Sequence, residues 1–272
     1  MKRLSIFNVT SLTLGFTFLY LPMVLLVIYS FNESKLVTVW AGFSTKWYGE
    51  LLRDEAFLSA AWITLEVAII SSTFATILGT MAAYVLVNSG RFFGRTLFSG
   101  MIYAPLVMPE VITGLSLLLL FIGIGLDRGV LTIVLAHTTF SMCFVSVVVS
   151  SRLVSFDRSL EEAALDLGCN RFDAFRLVTL PIIAPAVISG WLLAFTLSLD
   201  DLVIASFVSG PSSTTLPIKI WSAVRLGVSP EINALSTLMI GIVTVGVISA
   251  SLVSKRNSVR AQRDAQAAER GA

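Results

Sequence analysis

Basic residues are absent from the six longest apolar runs of this 272-residue chain, and charge of either sign is scarce throughout. Only 13% of the residues are charged, whereas a typical soluble domain has about 25%. The mean hydropathy is +0.87. This composition excludes a water-soluble enzyme or binding domain. It predicts an all-α polytopic membrane protein, with one transmembrane domain over residues 1–272.

Cysteine and histidine are also rare, which limits the chemistry that the chain could carry. Cys143 lies in an apolar run and Cys169 in a polar loop, so neither placement suggests a disulfide. The single histidine, His137, lies in an apolar run, where histidine is more often packed or hydrogen-bonded than a metal ligand. The sequence has no nucleophile–base set and no metal-ligand spacing. We therefore expect neither catalysis nor a cofactor in this chain.

Six apolar runs are long enough to cross a membrane, which takes about 20 residues. Lys and Arg indicate their orientation, because basic residues are enriched on the cytoplasmic side. With the N-terminus inside, inner segments hold 13 of the 19 basic residues and outer segments hold 6. Both termini are therefore predicted to be cytoplasmic. The predicted spans are 9–31, 60–87, 97–123, 130–151, 182–208 and 232–253, and a cytoplasmic tail follows at 254–272.

A polar stretch between the fourth and fifth runs, residues 152–181, predicts two short helices. Ser159, with a glutamate three residues later, fits a capping box. Gly168 predicts the end of the first helix, because glycine tolerates positive φ. Asn170 begins a second helix, and Pro181 is expected to end it because proline lacks an N–H. One apolar stripe on the first helix comprises Leu160, Ala163, Ala164 and Leu167. An ordinary pair of surface helices would fit these local signals equally well.

The same stretch resembles the EAA loop of ABC-importer permeases. The matching residues are Glu162-Ala163-Ala164, then Gly168 after three intervening residues, Val178 after nine more and Leu180-Pro181 after one more. The family has Ile at the position of Val178. The resemblance implies a type I permease of MetI-like architecture with six transmembrane helices. It also implies that 152–181 is a coupling loop that docks on a cytoplasmic ATPase. The residues expected at that contact are Glu161, Glu162, Ala163, Ala164, Gly168, Leu180 and Pro181.

Four acidic residues lie inside the predicted spans, with no basic residue there to pair with them: Glu66, Glu110, Asp200 and Asp201. A mid-span acid costs about 2.5–3.5 kcal/mol on insertion scales, so each is a candidate functional residue. They suit a path for a cation, with Trp191 and Phe195 available for cation–π contacts. They equally suit caps of broken helices, as beside Pro109, or partners for another subunit. Asp200 and Asp201 point about 100° apart on a helix, so one faces such a path and the other braces a neighbouring helix.

Two of these acidic sites lie in stretches similar to polyamine-importer permeases. Ser198 to Asp201 with Phe207 to Pro211, and Met108 to Gly114 around Glu110, carry the similarity, which extends over nearly the whole chain. It is closest to the putrescine type and implies an inner-membrane subunit that imports a polyamine, putrescine before spermidine. The implied partners are a sister permease, two ATPase subunits that bind the ATP and Mg²⁺, and a periplasmic polyamine-binding protein. Lipid surrounds such a subunit, and nothing points to nucleic acid.

The residues by themselves leave alternatives open. An ABC permease for spermidine or another small solute has the same features. A stand-alone secondary transporter or channel for cations could use the four acids as proton or ion sites. In that case no ATPase is needed and the EAA-like loop is a coincidence. The sequence also leaves open whether the permease pair is a homodimer or a heterodimer.

Overall fold

The computed structural model describes residues 5–35, 39–227, 230–242 and 244–245. Every regular element of these described ranges is a helix, so the all-α prediction is confirmed. The helices are α1 (Ile6–Tyr29), α2 (Lys46–Leu51), α3 (Glu55–Asn88), α4 (Arg95–Val107), α5 (Glu110–Gly123), α6 (Val130–Val154), α7 (Ser159–Asp166), α8 (Arg171–Ala174), a π-helical turn π1 (Phe175–Thr179), α9 (Leu180–Asp200), α10 (Val203–Val208) and α11 (Leu216–Leu226). Residues 230–242 are helical as well.

Four helical segments among the described residues are long and apolar enough to cross a membrane. Three are α1, α3 and α6, and the fourth is the continuous run Arg171–Asp200. They coincide with the predicted spans 9–31, 60–87 and 130–151 and with most of 182–208. The sixth predicted span, 232–253, lies partly outside the described residues. A total of six spans therefore stays a prediction.

The third predicted span, 97–123, is broken at Pro109, where the sequence predicts an interruption. It consists of α4 and α5, which meet at an angle of 118°. The cause is local: Met108 and Pro109 are extended, with ψ of 137° and 136°, and proline cannot continue the hydrogen-bond ladder. Glu110 is therefore the first residue of a new helix, rather than a residue near the middle of a long one. If the bent pair is one broken span, the described residues contain up to five spans.

The chain divides into two compact units, Met1–Glu55 with Ser222–Ala272, and Ala56–Trp221. In the first unit, α2 is held beside the end of α1 by polar contacts. The indole N–H of Trp47 donates to the carbonyl of Asn32 over 2.7 Å, and the hydroxyls of Ser30 and Tyr48 are 2.7 Å apart. A buried tryptophan needs such an acceptor for its N–H. The single domain expected over 1–272 stays a prediction.

In the second unit, close packing brings α3 and α9 against α6. A Cβ on Gly79 of α3 would lie 2.7 Å from the carbonyl oxygen of Met142 and 2.8 Å from the Cβ of Val145. A Cβ on Gly190 of α9 would lie 3.1 Å from Val145 Cγ1. Glycine is thus required at Gly79 so that the two helices can approach. The resulting core includes Ala75 of α3, Val145 and Val149 of α6, and Ile183 and Ala194 of α9.

The fifth predicted span, 182–208, ends earlier than expected. Helix α9 stops at Asp200, Asp201 is extended with ψ of 121°, and the short α10 follows. Helix α10 packs on α5, where a Cβ on Gly114 would lie 2.7 Å from Phe207 Cδ2 and 3.3 Å from Ile204 Cα. The polar break at Asp201 thus lies beside the bent pair α4 and α5.

Pro181 does not end a helix, so that prediction is wrong. It lies in the first turn of α9, which continues to Asp200. Because first-turn N–H groups have no partner within a helix, the missing N–H of proline costs little there. The π-helical turn π1 immediately precedes α9 and supplies the irregular turn that the proline ring requires.

Candidate functional site

We call α7, α8 and π1, residues 159–179, the elbow. Its first helix begins differently from the predicted capping box. The carboxylate of Asp157 accepts the backbone N–H of Ser159 over 3.0 Å, and Ser159 is the first helical residue rather than the cap. Hydrogen bonds from the Ser159 side chain and backbone hold the pKa of Asp157 below its usual value. Because Asp157 takes the capping role, Glu162 has no capping box to complete, and its side chain is exposed.

The turn between α7 and α8 confirms the role predicted for Gly168. Its φ is +94°, a value that glycine adopts without a Cβ clash. The N–H of Cys169 donates to Ala164 O over 3.1 Å and that of Gly168 to Leu165 O over 2.9 Å. This pair of bonds is a Schellman motif. It satisfies two terminal carbonyls of α7 and fixes the direction in which the chain leaves the helix.

Asn170 begins the second helix of the elbow, as predicted. Its Oδ1 accepts the backbone N–H of Asp173 over 2.9 Å, and its Nδ2 donates to the Asp173 carboxylate over 2.7 Å. Because this cap follows Gly168 by two residues, both ends of the connection between α7 and α8 are hydrogen-bonded. The elbow is therefore a defined structure and not a loose loop.

Glu161 attaches the elbow to the rest of the second unit. One carboxylate oxygen accepts the hydroxyl of Tyr84 on α3 over 2.7 Å. The other accepts the hydroxyl of Thr179, at the end of π1, over 3.0 Å. Thr179 is fully buried, and Ala164, one turn after Glu161, is buried as well. The face of α7 that contacts the protein therefore runs through Glu161 and Ala164.

A neighbouring part of the elbow surface is apolar and open. Leu160, Leu167 and Phe172 are 47%, 88% and 68% exposed, and Ala163 is exposed too. The predicted stripe of four apolar residues therefore does not pack on the chain's own core, except for Ala164. Exposed large apolar side chains grouped on a short helical segment are typical of an interaction surface.

A cavity of about 750 Å³ opens between the end of α3 and the elbow. Its lining includes Tyr84, Arg158, Glu161, Arg171 and Phe172. The guanidinium of Arg158 donates to Val87 O over 2.6 Å, which links α3 to the residue immediately before the elbow. Since Tyr84 and Glu161 border an open space, water weakens their hydrogen bond relative to a fully buried one.

A second polar cluster lies at the break between α9 and α10. The carboxylate of Asp201 accepts the backbone N–H of Ala205 over 2.7 Å and that of Ile204 over 3.3 Å. It is also 3.1 Å from Nε2 of His137, whose Nδ1 is 2.7 Å from the Ser198 hydroxyl. Asp201 thus caps α10 and is tied to α6. His137 is hydrogen-bonded, as expected, and no group of three potential metal ligands exists among the described residues.

The other residues predicted for a cation path are distributed along several helices. Glu66 on α3, Glu110 at the start of α5 and Asp200 at the end of α9 are all exposed in the isolated chain. No described residue forms an ion pair with any of these three carboxylates. The rings of Trp191 and Phe195 stack on α9, with centroids 5.2 Å apart and an interplanar angle of 10°. Asp200 and Asp201 are neighbours, whereas no direct contact joins them to Glu66 or Glu110 within the described ranges.

Sequence reasoning did not predict the contacts of three hydroxyls in these clusters, those of Tyr84, Thr179 and Ser198. Each is an isolated hydroxyl inside or beside an apolar run, and its partner lies 18 or more residues away in sequence. No local pattern reports such a contact. The solitary His137 was a partial signal, since a polar ring in an apolar helix requires a partner.

The comparisons with known proteins identify the family. A family model described as the inner membrane component of binding-protein-dependent transport systems matches residues 75–262, a region that includes both polar clusters. The chain belongs to that family.

Members of the family with high similarity cover almost the whole chain. The putrescine transport system permease protein PotI of Escherichia coli K12 is 61% identical over 271 residues, which is 97% of this chain and 96% of the relative. The spermidine/putrescine transport system permease protein PotC of the same strain is 43% identical over 244 residues, covering 90% and 92%. The proteins that this member of the family resembles are therefore transport subunits, not enzymes.

Solved structures of ABC transporters share the fold of this family member. A chain of a bacterial transporter involved in the import of the acidic polysaccharide alginate has a TM-score of 0.70 at 18% identity, covering 92% of this chain and 95% of that chain. A chain of the MetNI methionine transporter has a TM-score of 0.59 at 16% identity, covering 77% and 95%. At these identities the likeness establishes the fold alone.

Proposed function

We propose that this protein is a membrane-spanning subunit of an ATP-driven importer that moves a polyamine, putrescine in preference to spermidine, across the bacterial inner membrane. The observation that carries the proposal is the 61% identity to a putrescine permease over 97% of the chain. The identity to a spermidine/putrescine permease is lower, at 43% over 90%. Putrescine is therefore the substrate that the relatives favour.

The assembly that fits this role has a sister permease, two ATPase subunits and a periplasmic polyamine-binding protein. ATP and Mg²⁺ belong to the ATPase subunits, and the chain itself binds no cofactor. The excess of basic residues on the predicted inner segments supports six spans with both termini in the cytoplasm. In that orientation the elbow is cytoplasmic, on the side where ATP is available.

The elbow suits a lever between the ATPase and the transmembrane helices. Its exposed Leu160, Leu167 and Phe172 form an apolar surface that a partner could cover. On the other side, Glu161 links α7 to α3 through Tyr84 and to the start of α9 through Thr179. When the ATPase subunits close on ATP, a movement of the elbow would reach both helices and rock them between outward-open and inward-open states. The geometry of this lever depends on Gly168, Leu180 and Pro181.

The acids of the transmembrane part suit a dicationic amine. Glu66, Glu110 and Asp200 have no basic partner among the described residues, so their charge is available to a passing ammonium group. Such carboxylates offset the cost of removing water from the substrate's charges. The stacked rings of Trp191 and Phe195 suit cation–π contacts with the same substrate.

The test is to purify the assembled complex in mild detergent, identify its subunits by mass, and reconstitute it in vesicles. We expect a nucleotide-hydrolysing subunit to co-purify, and the binding protein loaded with putrescine to stimulate ATP hydrolysis and uptake more than spermidine does. Equal or greater stimulation by spermidine would contradict the substrate preference. Ion-gradient-driven amine transport by the purified chain alone would instead support a secondary transporter.

A further inference from the structure

The only histidine of the sequence is part of a buried chain of hydrogen bonds through the second unit. His137 of α6 is 3% exposed and its Nδ1 lies 2.7 Å from the hydroxyl of Ser198 on α9. The Ser71 hydroxyl of α3 donates to Ser198 over 3.1 Å. At the other end, Nε2 lies 3.1 Å from the carboxylate of Asp201, which is 10% exposed. Three helices and the break after α9 thus meet at one imidazole.

With a neutral His137 and an ionised Asp201, the donors and acceptors of this chain fit one arrangement. An ionised carboxylate only accepts hydrogen bonds, so Nε2 of His137 must carry the proton that Asp201 accepts. In the neutral imidazole, Nδ1 is then an acceptor and takes the hydroxyl proton of Ser198. The Ser198 oxygen in turn accepts from Ser71. Every donor points towards Asp201, so the network favours one tautomer of His137.

Asp201 is consequently engaged by contacts within the protein. It accepts the imidazole N–H and two backbone N–H groups of α10, from Ile204 and Ala205. The carboxylate of Asp200, one residue earlier, is exposed and forms no ion pair with a described residue. Asp200 and Asp201 therefore have the same chemistry but different environments. Among the described partners of Asp201, His137 is the only side chain, so it is the side chain that makes the environment of Asp201 differ from that of Asp200.

We propose that His137 is a positioning residue for the transported cation. By holding Asp201 in the cap of α10, it leaves Asp200 as the acid of the pair that meets the substrate, and it keeps α10 packed on α5. This inference rests on the proposed function, since it concerns the path of a cationic amine. It assigns no contact between His137 and the substrate.

Nitrogen NMR tests the network directly, because the chain has one histidine. The complex is labelled with ¹⁵N-histidine, reconstituted in nanodiscs, and compared with a His137→Gln complex so that the missing signals identify His137. We expect a neutral imidazole protonated at Nε2 and not at Nδ1. A charged imidazole or the opposite tautomer would overturn the arrangement, whatever the transport activity.

Putrescine uptake by reconstituted complexes then tests the positioning role. His137→Leu removes a hydrogen bond to a charged group, and we expect uptake to fall by about tenfold or more. His137→Gln, whose Nε2 can still donate to Asp201, should recover most of that loss. Thr139→Ala removes a half-buried hydroxyl that donates to Leu135 O of its own helix; it is the matched control and should leave uptake within about twofold, since changes away from a buried network are small.

Combined variants separate positioning from a general packing defect. In an Asp201→Ala background, which lacks the acceptor of the imidazole N–H, His137→Leu should reduce uptake by less than about twofold, because the two residues act through one bond. In a Thr139→Ala background, the full loss should persist. Equal losses in both backgrounds would contradict the proposal. If the wild-type complex imports no polyamine at all, the proposed function fails, whereas the NMR result would still report on the network.

Discussion

Replacing Glu161 with alanine should uncouple ATP hydrolysis from transport more strongly than replacing Glu162. Glu161 accepts hydrogen bonds from Tyr84 and Thr179 at 2.7 and 3.0 Å, and each hydrogen bond to a charged group is worth about 1.5–3 kcal/mol. The Tyr84 bond borders an open cavity, so we assign it a smaller free energy because water competes for the same groups. We therefore expect the attachment of α7 to α3 and to Thr179 at the start of α9 to weaken by about 2–4 kcal/mol, or roughly 30- to 1000-fold in the attached population.

The assay is the ratio of putrescine molecules imported to ATP hydrolysed by the complex in vesicles. For Glu161→Ala this ratio should fall at least tenfold while ATP hydrolysis continues, because the elbow still docks but no longer moves α3 and α9. Tyr84→Phe and Thr179→Val should each give part of the effect, since each removes one bond. Glu162→Ala is the matched control for attachment, because the Glu162 side chain is exposed. We expect this substitution to weaken docking of the elbow on the ATPase, so that transport and ATP hydrolysis fall together. An unchanged import ratio in Glu161→Ala would refute the attachment role.

Three further predictions concern packing, capping and charge. Gly79→Ala should lower the stability of the solubilised chain by about 1–3 kcal/mol through overpacking, which is measured as a lower Tm. Gly15→Ala is the control and should leave the Tm unchanged, because nothing lies within 4 Å of its new Cβ. The depressed pKa of Asp157 means that its cap stabilises α7 above the unfolded pKa and is lost as the pH falls through the folded value. Amide exchange in α7 should therefore rise below about pH 4, a rise that is absent in Asp157→Asn. Asp200→Asn should reduce putrescine uptake; unaffected uptake would contradict an acidic path.

Hydropathy and local signals predicted the parts of the fold that depend on composition over short distances. The apolar runs at 9–31, 60–87 and 130–151 became helices because a run of that length satisfies its own backbone hydrogen bonds. Gly168 and Asn170 were also predictable, since a positive φ and an N-cap are properties of one or two residues. These features are enough to predict where the elbow lies in the sequence and where its helices end and begin.

The remaining features depend on contacts or angles that no local pattern encodes. Pro109 predicted an interruption but not the 118° angle between α4 and α5. Asp157 competed with Ser159 for the cap of α7, and both are good capping residues. The capping role of Asp201 depends on where the chain breaks and on a histidine 64 residues earlier in sequence. The sequence also suggested that one of the two adjacent acids braces a neighbouring helix. In the structure that acid is Asp201.

The measurement that tests the central claim most directly is photo-cross-linking from the outer face of the elbow in the assembled complex. A photoreactive phenylalanine replaces Leu167, which is 88% exposed, and the cross-linked subunit is identified by mass. The account predicts a cross-link to the subunit that hydrolyses ATP, and this cross-link should persist in Glu161→Ala because the detached elbow still docks. A cross-link only to lipid or to a periplasmic protein would contradict it.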